Sequence, residues 1–128
     1  EKYKSLLYKD LNYKNGKLHG YCKTYRLYPD PGKIEDEGMY KNGEKTGKWI
    51  YYYKWDNKCV DRICEYDHNE GKYPLKVTQF RTDGKTIFSI SHWKCRKLHG
   101  LHKMYDHDGK LCKEETYKEG ELIDSKRY

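Results

Sequence analysis

Cysteine and histidine are the residues of this chain with the most specific potential chemistry, because they could form disulfides or hold a metal ion. There are five cysteines and six histidines, and one stretch combines His92, His99, His102 and His107 with Cys95 and Cys112. Zinc sites use thiolates and imidazoles at short fixed spacings, yet no Cys-x-x-Cys pair occurs here. On one strand, His99 and His102 would point to opposite faces. The sequence therefore predicts no metal site.

Catalysis would need paired carboxylates, or a nucleophile beside a base, in a concave site. The acidic groups at Glu35, Glu37, Glu114 and Glu115 recur at equivalent points of a repeat, which is typical of cross-strand partners for lysine. No Ser-His-Asp arrangement, phosphate-binding glycine loop or dinucleotide fingerprint is evident. We therefore predict no enzymatic activity and no cofactor.

An aromatic residue, a turn and a lysine recur along the chain at intervals of 25 to 27 residues. These segments are Tyr28–Lys33, Tyr53–Lys58, Phe80–Lys85 and Tyr105–Lys110. Between them lie Tyr13–Gly16, Tyr40–Gly43, Tyr66–Asn69, Trp93–Arg96 and Tyr117–Gly120, and Lys-Leu-His-Gly occurs at both 17–20 and 97–100. A period of this size indicates stacked supersecondary units. We predict a single repeat domain over residues 1–128, with about four to five β-hairpin units.

The composition favours strands throughout. The chain has no alanine, 15 tyrosines and 3 tryptophans, so helix is disfavoured and the core should be mostly aromatic. Turn signals occur at Asn15-Gly16, Pro31-Gly32, Asn42-Gly43, Asp56-Asn57, Asn69-Glu70, Asp83-Gly84, Cys95-Arg96, Asp108-Gly109 and Glu119-Gly120. We predict an all-β fold, an antiparallel meander of strands.

The turns also predict which residues face each other. Turning at these positions pairs Gly20 with Tyr40, Gly47 with Tyr66, Pro74 with Trp93 and Gly100 with Tyr117. In each unit a ring would then face a residue with little or no side chain. We interpret these glycines as packing sites for the rings.

The same registers keep the cysteines apart. They place Cys22 near Gly38, Cys59 opposite Lys54, Cys64 opposite Trp49 and Cys112 opposite Tyr105. We therefore predict five free thiols, which favours a reducing compartment such as the cytoplasm. Export stays open, because a signal peptide could have preceded Glu1.

The segment Tyr40–Tyr52 resembles the variant MORN repeat, the glycine and tyrosine hairpin module of bacterial YwqK-type antitoxins. Tyr13–Tyr25 and Trp93–Tyr105 are similar, whereas the third copy departs from the pattern at Pro74 and the fourth at Cys95-Arg96. The resemblance implies an elongated, twisted and largely single-layer sheet that serves as an interaction surface, and it implies no catalytic residues.

We expect a non-catalytic protein-binding module. For a bacterial member of this family the partner could be a toxin, and the chain would then be an antitoxin or immunity protein that acts by steric occlusion. The candidate binding residues are the rings Tyr51, Tyr52, Trp55 and Trp49. An open sheet with so many rings also suits a homodimer.

Two alternatives stay open. The net charge of +7 suits a peripheral module that binds anionic lipid, and the chain could instead be a structural segment of a larger protein. For nucleic acid, exposed rings such as Tyr51, Tyr52 and Trp55 beside lysines could offer a platform on which bases stack, but no recognised single-strand-binding motif is present. A site that reads phosphates would also favour arginine, whereas the chain has 22 lysines and 5 arginines. We predict against nucleic-acid binding.

Overall fold

The computed structural model describes residues 9–26, 32–53, 56–67 and 72–128. These residues form twelve strands and no helix, so none of them belongs to a helix that could cross a membrane. The strands are Lys9–Asp10 (β1), Tyr13–Lys14 (β2), Lys17–Leu18 (β3), Gly20–Tyr25 (β4), Ile34–Lys41 (β5), Glu44–Tyr53 (β6), Asp56–Tyr66 (β7), Lys76–Phe80 (β8), Ile87–Lys94 (β9), Lys97–Tyr105 (β10), Leu111–Lys118 (β11) and Glu121–Arg127 (β12).

Ten of these strands form one antiparallel sheet that follows the order of the chain. The sheet runs β1, β4, β5 and on to β12, while β2 and β3 form a separate small hairpin. β1 and β12 lie at opposite ends of the order, so the sheet is open. This confirms the predicted all-β meander.

Four two-residue turns join consecutive strands: Asn15-Gly16 in the small hairpin, and Asn42-Gly43, Cys95-Arg96 and Glu119-Gly120 at one end of the large sheet. Both residues of each turn have positive φ, as a type I′ turn requires. All four positions were predicted from sequence. Asn69-Glu70 lies outside the described residues, as does Pro31 of Pro31-Gly32.

The predicted glycine–tyrosine registers are confirmed at Gly20–Tyr40, Gly47–Tyr66 and Gly100–Tyr117. The fourth pairing is wrong. Lys76 lies opposite His92, and the Trp93 amide donates to the Leu75 carbonyl, so Trp93 is displaced by one residue from Pro74. The displacement arises because Phe88 has no cross-strand partner.

The three glycines serve the backbone rather than the rings. Each glycine lies in a stretch between two paired positions where its side of the ladder has two residues more than the facing side. Each of the three glycines also has positive φ. A Cβ at Gly47 would meet nothing within 4 Å, so its role cannot be to make room for a ring. The interpretation of these glycines as packing sites is therefore wrong, because their backbone conformation is what disfavours other residues.

Packing against a glycine does occur, but at Gly38. A Cβ there would lie 2.4 Å from the indole of Trp49. This indole donates to the Met39 carbonyl at 2.9 Å and contacts the Tyr40 ring edge to face, with centroids 5.0 Å apart. Trp49 is only 2% exposed, so the contact with Gly38 anchors the core.

A single unpaired residue recurs near the other end of four strand pairs. These residues are Glu35, Asp61, Phe88 and Cys112. The aromatic residue next to each of these positions on the facing strand is Tyr25, Tyr52, Phe80 or Tyr105, so these four rings are structurally equivalent. The sequence repeat had instead aligned Tyr28 and Tyr53 with Phe80 and Tyr105. The repeat was misaligned because the segments that follow shorten along the chain: 26–33, 53–59, 81–86 and 106–110.

Two further sequence predictions need correction. Cys112 is the unpaired residue itself, so Tyr105 faces Leu111 instead. Asp56 pairs with Tyr53, so the chain does not turn at Asp56-Asn57 as predicted. Cys22 lies opposite Gly38 and Cys64 lies opposite Trp49, as predicted. Lys54, the predicted partner of Cys59, lies outside the described residues.

One row of side chains crosses the sheet on a single face and forms its core. This central row comprises Cys22, Gly38, Trp49, Cys64, Val77, Ser91, His102, Glu115 and Ser125. Among the described residues, the buried apolar side chains are two thiols and one indole, Cys22, Cys64 and Trp49. The prediction of a mostly aromatic core is therefore wrong, because a single layer leaves most rings partly exposed.

The motif Lys-Leu-His-Gly links consecutive units. The Leu18 carbonyl accepts from the Gly43 amide at 2.8 Å, and His19 Nδ1 accepts from the Asn42 amide at 3.3 Å. The second copy repeats both contacts: Gly120 donates to Leu98 at 2.8 Å and Glu119 to His99 at 3.2 Å. Each motif thus holds the next type I′ turn.

Side chains link the units at the opposite end of the strands as well. Arg26 donates to the Tyr52 carbonyl at 2.7 Å, and Arg81 donates to the Tyr105 carbonyl at 2.8 Å. Between them, the Tyr53 hydroxyl donates to the Phe80 carbonyl at 2.8 Å. The open sheet is therefore held together at both ends of its strands.

Candidate functional site

The link between β7 and β8 departs from this regular pattern. Residues 67–75 connect β7 to β8, where the neighbouring units have a two-residue turn. Within the described part of this connection, the Leu75 amide donates to the Glu65 carbonyl at 2.8 Å. Nine residues therefore separate β7 from β8, and Tyr73 and Pro74 among them lie beside the face that carries the central row.

A recess of about 370 Å³ opens at this place. Its lining comes from β6 to β9, the β7–β8 connection and the turn after β9: Tyr51, Arg62, Cys64, Tyr66, Tyr73, Pro74, Val77, Trp93 and Arg96. The volume lies at the small end of the range typical of ligand pockets. We refer to this site as the recess.

One wall of the recess is a pair of linked phenols. The hydroxyls of Tyr51 and Tyr66 lie 3.2 Å apart, and Lys45 Nζ donates to the Tyr51 hydroxyl at 2.9 Å. Burial raises the pKa of both tyrosines, so both stay protonated at neutral pH. Lys45 also lies 4.5 Å from the centroid of the Trp49 ring beneath it.

Two guanidinium groups contribute positive charge to the lining. Arg62 lies 4.2 Å from the Tyr51 ring centroid and pairs with Asp61 at 2.8 Å. Arg96 lies 4.9 Å from the ring centroid of Tyr73. Stacking on rings holds both groups in a defined orientation. Because Arg62 already donates through Nη1 to Asp61, only its remaining N–H groups can serve a ligand.

The floor of the recess is apolar and unreactive. Cys64 and Val77 face each other across β7 and β8. Cys64 is 4% exposed, and burial raises the pKa of its thiol. A protonated, covered thiol behaves as a small apolar group rather than as a nucleophile.

The four candidate binding residues have separate locations. Tyr51 lines the recess. Trp49 is buried in the core, so its ring is not available to a partner in this structure. Tyr52 follows Tyr51 on β6 and lies on the other face, where its hydroxyl donates to Glu37. Trp55 lies outside the described residues.

Of the repeat residues, Tyr66 and Trp93 line the recess, whereas Gly20, Tyr40, Gly47, Gly100 and Tyr117 do not. Sequence reasoning missed Arg62, Tyr73, Pro74 and Arg96 as site residues. A usable signal was present, because Pro74 and Cys95-Arg96 are the positions where the repeat pattern departs from itself. Those departures mark the recess.

The central row also brings a serine, a histidine and a glutamate onto neighbouring strands, which their spacing in sequence did not reveal. Ser91 lies opposite His102, and His102 lies opposite Glu115. They do not form a catalytic relay: His102 Nδ1 is 3.7 Å from Glu115 and has no hydrogen-bond partner among the described residues. Ser91 instead accepts from the Trp93 indole at 2.8 Å.

A family of proteins of unknown function, DUF2963, matches residues 53–94. No curated protein and no solved structure matches the chain. The matched segment contains β7, β8 and β9 and seven residues of the recess: Arg62, Cys64, Tyr66, Tyr73, Pro74, Val77 and Trp93. The family model thus covers the part of the sheet that departs from the regular repeat.

Proposed function

We propose that this chain is a non-catalytic protein-binding module, and that its recess receives an aromatic or apolar side chain flanked by acidic residues of a partner protein. The observation that carries this proposal is the composition of the lining. Four rings and two arginines surround an apolar floor, and the described lining has no carboxylate. Rings bind rings by stacking, and guanidinium groups bind carboxylates in bidentate geometry.

The backbone of Arg96 supports a functional role for this residue. Its φ is +67°, at the second position of a type I′ turn, where glycine is favoured. A left-handed conformation costs a non-glycine residue roughly 1–2 kcal/mol. Strain of this kind is concentrated at ligand sites, where position matters more than stability.

The module would act by occupying a partner's surface. If the partner is a toxin, as the resemblance to YwqK-type antitoxins implies, the chain would block it by steric occlusion. Contact through rings in an apolar recess should resist added salt better than contact through surface lysines.

The test uses the immobilised chain to retain partners from native lysate of its own cells. We expect Tyr73→Ala to abolish retention of a specific protein, because it removes a ring wall of the recess. Phe88→Ala is the matched control: Phe88 is 46% exposed against 47% for Tyr73, and it lines a different recess with Arg81 and His107.

Two results would contradict the proposal. Equal retention by wild type and Tyr73→Ala would show that the recess is not used. Binding to vesicles of anionic lipid that disappears at high salt, without any retained protein, would favour the peripheral membrane alternative.

A further inference from the structure

β12 has a free long edge within the described structure. It pairs with β11 on one side and with no described strand on the other. All seven of its residues are exposed, including Leu122 at 52% and Ile123 at 61%. An edge of this length presents unpaired backbone groups to any strand that can match them.

The hydrogen bonds to β11 fix which backbone groups of β12 point outward. Tyr128 donates to the Cys112 carbonyl at 3.0 Å, and Arg127 faces Lys113 in the same ladder. Because bonding direction alternates along an antiparallel strand, Lys126 and Asp124 also bond toward β11. Ser125 and Arg127 therefore direct their backbone groups away from the sheet.

Two copies of β12 can pair antiparallel only through these outward groups, which restricts the register. Placing Ser125 opposite itself sets Asp124 against Lys126 of the other copy twice. Ile123 is unpaired in the ladder with β11, so Leu122 lies on the other face from Asp124 and takes no part in this pairing. The two neighbouring registers would instead place Asp124 against Asp124 or Lys126 against Lys126, and like charges directly opposite are unfavourable.

We propose that β12 is a self-association edge, and that a second copy of this chain pairs with it antiparallel about a two-fold axis at Ser125. The occupant follows from charge complementarity, because Asp124 and Lys126 of one copy lie opposite Lys126 and Asp124 of the other when the strand direction is reversed. The axis is perpendicular to the sheet, so both recesses face the same side. This inference does not depend on what the recess binds.

Charge variants test the register. Asp124→Lys alone and Lys126→Asp alone each set like charges against each other, so each should weaken self-association about tenfold. Mixed together, the two variants restore both opposite-charge pairs, so the mixture should form a heterodimer. Sedimentation velocity over a concentration series measures all three samples, and thermal melting checks that each variant folds.

A backbone variant provides an independent test. Ser125→Pro removes an amide that points away from β11, so the monomer should keep its fold while the dimer is lost. The edge charges could instead serve to prevent pairing. Wild-type chain that stays monomeric at millimolar concentration, a mixture no more associated than its components, or a dimer unaffected by Ser125→Pro would overturn the proposal.

Discussion

Glu37 accepts hydrogen bonds from two phenols on the face of the sheet opposite the recess. The Tyr21 hydroxyl donates at 2.6 Å, and the Tyr52 hydroxyl donates to the other carboxylate oxygen. Burial works to raise the pKa of Glu37, but the two hydrogen bonds and the charge of Lys23 bring it below its usual value. Burial and the neighbouring carboxylate raise the pKa of Tyr21 to about 12.

This arrangement predicts how stability depends on pH. A carboxyl whose folded pKa lies below its unfolded value of about 4.3 stabilises the fold above that pH, and the contribution is lost as the pH falls. We expect denaturant midpoints measured from pH 6 to pH 3 to decrease less steeply for Glu37→Gln than for wild type. Glu119→Gln, in an exposed turn, is the control. Parallel curves for Glu37→Gln and wild type would contradict this account.

The contact between Gly38 and Trp49 shows that the burial of a single side chain could not be predicted from the sequence. Trp49 was predicted as a binding ring, yet the glycine opposite it lets the indole lie flat against the backbone and become buried. Alternation along a strand indicates which side chains share a face, but it does not indicate which face is covered. Gly38 lies outside the predicted glycine–tyrosine pairs, so nothing in the repeat pointed to its role.

Among the elements, the turns were predictable and the unpaired residues were not. Positive φ at two successive positions has a strong residue preference, so Asn15-Gly16 and Asn42-Gly43 identify their turns directly. The single unpaired residues, such as Asp61 and Cys112, follow no residue type. They displaced the predicted partners of Trp93 and Tyr105 without altering the strand order.

We expect the turn at Cys95-Arg96 to lower the free energy of unfolding while it contributes to binding. Replacing both residues, Cys95→Asn with Arg96→Gly, introduces the pair preferred in type I′ turns and should raise the free energy of unfolding by about 1–2 kcal/mol. The same change removes a cation from the recess, so retention of the partner should fall. Denaturant unfolding and the lysate assay measure the two effects.

Glu119→Asn is the matched control for this turn. It converts Glu119-Gly120, where Glu119 has a φ of +50°, into the same preferred pair away from the recess. It should stabilise the fold and leave partner retention unchanged. If the change at residues 95 and 96 left stability unaltered, or left retention intact, strain at Arg96 would have no functional meaning.

For the molecule as a whole, the sequence predicted the architecture better than the site. Regular turns fix the strand order of the meander, whereas the unpaired residues displace individual partners such as those of Trp93 and Tyr105. The recess depends on Tyr73 and Pro74 in the connection between β7 and β8, where the repeat pattern gives no information about the path of the chain. The single-domain organisation, the absence of catalysis and the MORN resemblance stay predictions.

Titration of the labelled chain with a capped Glu-Trp-Glu peptide, followed by nitrogen–proton correlation spectra, tests the recess most directly. We predict shifts of the Trp93 indole signal and of the Tyr73 and Arg96 amides, and much weaker shifts with Lys-Trp-Lys. The buried Trp49 indole should move little. No shift up to millimolar peptide, or shifts that avoid the recess and fall elsewhere on the sheet, would contradict the account.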